Sequence, residues 1–166
     1  MKQNYILTLV GALLLTTFSC QKEYLDDGQE VLSMTEETSY CPPKEDKGCT
    51  LTQGYWKNHP EDWPVVALTL GTVTYTQAQL LAILNTPVKG NGLISLAHQL
   101  IAAKLNIADG ADDSDIDDAI EDADNLIGSL VIPPVGSGFI SPSETSDLIG
   151  DLTDFNEGET GPGSCD

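Results

Sequence analysis

Apolar residues in the second half of the chain recur at the three-and-four spacing of helices, and each periodic run opens on a residue suited to cap one. Thr76 stands three before Gln79, and Leu80, Leu81, Ile83 and Leu84 follow, predicting a helix over 76–85 that Pro87 stops. Leu93, Leu96, Ala97, Leu100, Ile101 and Leu105 form one stripe after Asn91, a suitable N-cap, so a second amphipathic helix runs to about Leu105. A third is expected to begin at Ser114 with Asp117 three on; Ile116, Ala119, Ile120, Ala123, Ile127 and Leu130 continue its stripe, and Pro133 and Pro134 end it. Ser141, Pro142 at the first helical position and Glu144 open a fourth, carrying Leu148, Ile149, Leu152 and Phe155. Between Val65 and Tyr75 the pattern changes to Val65, Val66, Leu68, Leu70, Val73 and Tyr75 around Gly71, which reads as two short strands, with a turn of helix over 64–68 as the alternative. The expected fold is a mainly α, small single domain of about four amphipathic helices with a short two-stranded β element near 65–75.

The start of the chain follows different rules. Lys2 precedes an uncharged, mostly apolar run from Tyr5 to Phe18, and small Ser19 then stands before Cys20. These are the parts of a secretory signal, and the run is too short for a spanning helix with normal flanks. Residues 21–48 have no sustained periodicity, many polar and charged residues, and Pro42, Pro43 and Gly48. They read as a flexible tether with an r.m.s. reach of roughly 30 Å. The expected organisation is a signal segment over 1–19, a tether over 20–48 and a globular domain over 49–166.

Leu15, Thr17, Phe18, Ser19 and Cys20 resemble the leader of bacterial lipoproteins, in which the cysteine becomes the lipidated first residue of the mature chain. Thr17 stands where that pattern usually has leucine, a looseness found in Bacteroidota. Gln21, Lys22, Glu23, Asp26 and Asp27 resemble the lysine-plus-acidic signal that sends their lipoproteins to the outer face. The resemblance covers the leader, and implies a lipid anchor at Cys20 in the bacterial outer membrane with the domain at the cell exterior.

Charge narrows the partners. Arginine is absent, and the seven lysines less Lys2 leave six against 26 acids, a mature formal charge of about −20. From Leu105 to Asp166 there are sixteen acids and no lysine. A nucleic acid is therefore excluded as a partner on electrostatic grounds. Lipidation of Cys20 leaves Cys41, Cys49 and Cys165 for an oxidising compartment, and three thiols cannot all pair internally. Cys49 with Cys165 brackets the periodic region and is the favoured pair, and Cys41 with Cys49, a short local loop, is its rival.

The densest chemistry is C-T-L-T-Q-G-Y-W-K-N-H-P-E-D-W-P, from Cys49 to Pro64. It resembles a group of uncharacterised secreted bacterial proteins that carry T-Q-G-Y-W-K-N-H-P after a cysteine and end in G-P-G-x-C, as at Gly161 to Cys165. That likeness spans most of the domain and implies a shared fold and a matching cysteine pair, but no activity. As a binding surface, Tyr55, Trp56 and Trp63 would offer stacking faces and Asn58, His59, Glu61 and Asp62 hydrogen bonds, a mixture suited to an extracellular glycan or protein. As structure, the two tryptophans would cover a small helical core while His59-Pro60 and Trp63-Pro64 fix turns.

Catalytic motifs do not stand out. G-x-S-x-G, H-E-x-x-H, a phosphate loop and paired C-x-x-C are missing from the sequence, and S-x-x-K is missing from the domain over 49–166, so no catalytic residue, cofactor or metal is assigned. His98 falls inside the second helix, where a core or boundary histidine is the commoner case. Asp109, Asp112, Asp113, Asp115, Asp117 and Asp118 lack the order of an EF-hand loop and read as the solvated side of a helix start. The favoured function is a non-enzymatic cell-surface lipoprotein acting as an interaction or envelope-structural module. The alternative is a small extracellular hydrolase or lyase using His59 with Glu61 or Asp62.

Overall fold

The computed structural model describes residues 48–165. The signal segment, Cys20, the tether up to residue 47 and Cys41 lie outside the described residues. The elements in chain order are α1 (Gln53–Asn58), a 3-10 turn (Pro60–Asp62), β1 (Ala67–Leu70), β2 (Val73–Thr76), α2 (Gln77–Leu84), α3 (Gly92–Ala108), α4 (Asp117–Ile127) and α5 (Pro142–Asn156). The domain is mainly α with one short antiparallel sheet, as the periodicity predicts.

Helix α3 is the element on which the others assemble: it packs most extensively on α5 and also meets α1, α2, α4 and β1. Its predicted stripe of Leu93, Leu96, Ala97, Leu100, Ile101 and Leu105 is buried, and so are Ile94, Ala102 and Ala103. A helix covered on nearly every side needs apolar residues beyond one stripe, and the two alanines let neighbours approach closely. Each large aliphatic side chain removed from water here contributes roughly 1.5–3 kcal/mol.

Caps explain the boundaries. Thr76 and Gln79 form the capping box of α2, Asn91 accepts from Leu93 N at the start of α3, and Ser141 with Glu144 caps α5 behind Pro142. The strands pair Leu70 with Val73 and Ala67 with Thr76, so residues 67–68 are extended and not helical. Gly71 turns the hairpin at φ +61°. Buried Tyr75 reaches from β2 to accept a bond from Ile132 N at 3.0 Å, tying down the long α4–α5 connection.

Three features depart from expectation. A fifth helix, α1, is present, capped by the Thr52 hydroxyl, which accepts from Tyr55 N. Helix α4 starts at Asp117, not Ser114, and has no side-chain cap at Ile116. Ser114 is taken up by an Asx-type turn in which its backbone N–H donates to Asp112 Oδ1 at 3.0 Å, a local bond that competes with capping. The helix also stops at Ile127, because Gly128 turns the chain at φ +53°, and Leu130 is left largely outside the core.

Cys49 and Cys165 are joined by a disulfide with a sequence separation of 116. Beside it Thr50 and Ser164 form a parallel bridge, with Thr50 N donating to Gly163 O at 2.8 Å and Cys165 N to Thr50 O at 2.9 Å. Among the described residues no helix is long and apolar enough to cross a membrane.

Candidate functional site

Helical geometry sorts the aromatic segment into three directions. Trp56 points inward from α1, is 1% exposed, and donates its indole N–H to Asn106 Oδ1 at 2.9 Å. Trp63, also buried, donates to the Trp56 carbonyl at 2.7 Å. The two indoles therefore belong to the core, the structural one of their two expected roles, and do not supply the stacking faces of the other. Their bonds lock α1 and the following 3-10 turn to α3, which makes the rest of the segment a rigid platform.

On one side of α1 lies a ledge made by Tyr55, Asn58, His59, Glu61 and Asp62. The Tyr55 and His59 rings stack at 4.5 Å with 28° between planes. The Tyr55 hydroxyl donates to Asp62 Oδ2 at 2.7 Å, and this bond, followed by desolvation and nearby carboxylates, raises its pKa above the usual tyrosine value. His59 Nδ1 lies 3.5 Å from Glu61 Oε1, a separation outside hydrogen-bond geometry, and both side chains are well exposed. Asn58 turns its amide back to the Gly54 carbonyl at 2.8 Å. The ledge thus offers a stacked phenol and imidazole and two carboxylates to solvent.

The opposite side of α1 borders a groove of about 650 Å³, within the size range of small-molecule sites, roughly 300–1,000 Å³. Thr52, Gln53, Gly54 and Lys57 form one wall; Leu84, Asn85, Thr86, Pro87 and Val88, where α2 passes to α3, form another; His98 and Glu157 complete it. His98 Nε2 is 2.8 Å from the Ile83 carbonyl, which can only accept, so Nε2 carries the proton and the neutral ring leaves Nδ1 as an acceptor. Burial holds this imidazole below the usual histidine range, and the charge of Lys57 adds to the effect against the opposing bond to Ile83.

Of the groove's lining residues only Lys57 falls in the segment 55–63 where binding is expected. A helical period run through 52–58 with Trp56 inward would have put Gln53, Gly54 and Lys57 together on the far side. No local pattern announces His98 or Glu157 as their neighbours.

The acidic run lies around the start of α4. Asp117 and Asp118 occupy its first turn, where they favour the positive end of the helix dipole. Among the described residues no group of three or more His, Cys, Asp or Glu is arranged to hold a metal ion. A second recess of about 310 Å³ between α4 and α5 is ringed by Asp115, Asp118, Asp122, Asp151 and Asp154 over Ile116, Ala119 and Leu148. Compared with known protein families, curated proteins and solved structures, the chain matches none.

Proposed function

We propose that this protein is a lipoprotein of the bacterial outer membrane, anchored through lipid on Cys20 and facing the cell exterior, whose domain is a non-enzymatic interaction or envelope-structural module. Its ledge at Tyr55, His59, Glu61 and Asp62 is the surface offered to an extracellular glycan or protein. The observation that carries the interaction reading is the division of labour in one short segment: Trp56 and Trp63 are spent on buried anchoring bonds while the polar and aromatic residues between them are held outward. Such preorganisation lowers the ordering cost of binding. The high acidity argues against nucleic acid and for a ligand that is neutral or cationic where it meets the ledge.

Two experiments test this. Labelled palmitate should enter the wild-type chain in a bacterial host and be absent from Cys20→Ser; equal labelling of the two would remove the anchor. On a glycan and peptide array, His59→Ala and Asp62→Ala should reduce capture without loss of fold. The nearness of His59 to Glu61 supports the competing reading as a hydrolase or lyase, and conversion of an array ligand to product, abolished by His59→Ala, would establish it in place of the binding module.

A further inference from the structure

We propose that the groove between α1, the α2–α3 connection and α3 is a second binding site, built for an uncharged, hydroxyl-rich ligand of the neutral saccharide class. It is separate from the ledge and does not depend on the lipid anchor.

The chemistry follows from how the lining groups are already committed. Thr86 donates its hydroxyl to Ala82 O at 2.8 Å, Asn85 donates its amide to Leu81 O at 2.8 Å, and His98 donates from Nε2 to Ile83 O at 2.8 Å. Each keeps acceptor capacity: hydroxyl lone pairs, an amide oxygen and Nδ1. Glu157 adds a carboxylate. Donors come from Lys57, which makes no ion pair among the described residues, from the amide of Gln53, and from Thr52, whose oxygen accepts from Tyr55 N while its hydrogen stays available. Hydroxyl groups, which donate and accept at once, match such a mixed wall.

Charge selects among ligands. Lys57 and Glu157 balance and His98 is neutral, so the groove has no net charge to hold an ion. The strongly acidic chain around it disfavours an anion in addition. Leu84, Pro87 and Val88 give an apolar strip against which the C–H face of a sugar ring can pack.

Gly54 is a second, independent observation. It sits inside α1 without a positive φ, and a Cβ there would meet only Thr52 Oγ1, at an ordinary 3.6 Å. Alanine is the better helix former, and no close contact in the fold calls for glycine at this first-turn position. What its missing side chain does is keep the wall of the groove low.

The test uses the full-length chain in a detergent that carries no sugar, titrated with a panel of neutral hexose and N-acetylhexosamine di- to tetrasaccharides by calorimetry and saturation-transfer NMR. A uronic-acid oligosaccharide and a lysine-rich peptide are the charged probes. We expect a neutral member to bind. Gly54→Leu should abolish this without lowering the melting temperature, Lys57→Met should weaken it at least about tenfold, equal to ~1.4 kcal/mol, and Glu121→Gln, exposed on α4 away from groove and ledge, should leave it unchanged. Gly54→Ala, the gentler helix substitution, should weaken binding as well and serves if the leucine disturbs the fold. Silence of every neutral saccharide at millimolar concentration, or preference for a charged probe, would overturn the proposal. Binding that survives Gly54→Leu but is lost in His59→Ala would overturn it too, while leaving the ledge as the binding surface.

Discussion

The indole N–H of Trp56 donates to the side-chain oxygen of Asn106 at 2.9 Å, and through that bond the aromatic segment is tied to the central helix. Asn106 is 1% exposed and its amide is fully used. Oδ1 also accepts from Leu51 N at 2.8 Å, while Nδ2 donates to Leu51 O at 2.9 Å and to Asn156 Oδ1 at 3.0 Å. Asn156 in turn holds Gln99 through two bonds at 3.0 Å. One polar side chain thus joins the N-terminal segment, α1, α3 and α5.

Replacing Asn106 with Ala should be among the most damaging changes in the domain. It strands the Trp56 and Leu51 donors and two acceptors in the interior, where each orphaned group costs about 1–3 kcal/mol. Relaxation recovers part of this, so we expect a loss of roughly 3–5 kcal/mol in urea unfolding. Trp56→Phe removes one donor and keeps most of the packing, and should cost about 1–3 kcal/mol. Equal losses for the two variants would show that the Asn106 network is not cooperative.

Reduction of Cys49–Cys165 should destabilise the domain without changing its fold. The bond closes a loop of over a hundred residues, for which the chain-entropy argument gives up to ~4.7 kcal/mol and typical measurements 2–4 kcal/mol. The melting temperature should fall by roughly 10 °C in reductant, and Cys165→Ser should reproduce the fall. The pairing of Thr50 with Gly163 and Cys165 is held by that crosslink and should exchange its amide hydrogens faster once it is open. Unaltered melting on confirmed reduction would deny the disulfide its stabilising role.

How much of this was legible follows from where the information sits. Helices α2, α3 and α5 could be read because Thr76, Asn91 and Ser141 stand directly before apolar stripes, so capping and period agree. Helix α1 is not legible because six residues are too few to establish a period, and its aromatic residues suggest chemistry. The start of α4 departs from Ser114 because Ser114 and Asp112 satisfy each other locally, which a spacing rule cannot weigh. The residues of the ledge are neighbours in the sequence, but the inward turn of Trp56 depends on Asn106, far along the chain. The groove is built by tertiary packing of three elements, so its members share no sequence pattern.

Gly71 should tolerate no side chain. At φ +61° it is in the left-handed region, and a Cβ would stand 2.2 Å from Gly128 O. Strain and overpacking together predict that Gly71→Ala costs roughly 2–4 kcal/mol. Its amide donates to Asp124 Oδ1 at 2.8 Å, and the other oxygen of Asp124 takes Lys104 Nζ at 2.5 Å. Asp124→Asn can keep the first bond but loses the ion pair, so it should cost less, about 1–2 kcal/mol. Chemical denaturation of the two variants checks the order, and a larger loss for Asp124→Asn would reverse the assignment of the turn as the critical element.

His98 should make stability fall as the solution is acidified from neutrality. Its folded pKa lies below the ordinary value near 6.5, chiefly because burial disfavours the charged ring, with Lys57 acting in the same direction. Between the two values the unfolded chain binds more protons than the folded one, so stability decreases as pH drops through about 6.5 toward the folded pKa and then levels off. Above about pH 7.5 both states hold a neutral ring and the contribution is constant. The charged groups lining the groove with His98 are Lys57 and Glu157, and the Ile83 carbonyl holds Nε2. Because the many carboxylates titrate mainly at lower pH, the measurement is a difference: urea stability of wild type minus that of His98→Gln, from pH 7.5 down to 5.5. That difference should shrink with acidification. A difference that is flat, or that grows toward pH 5.5, would mean the imidazole is not held neutral by the groove wall.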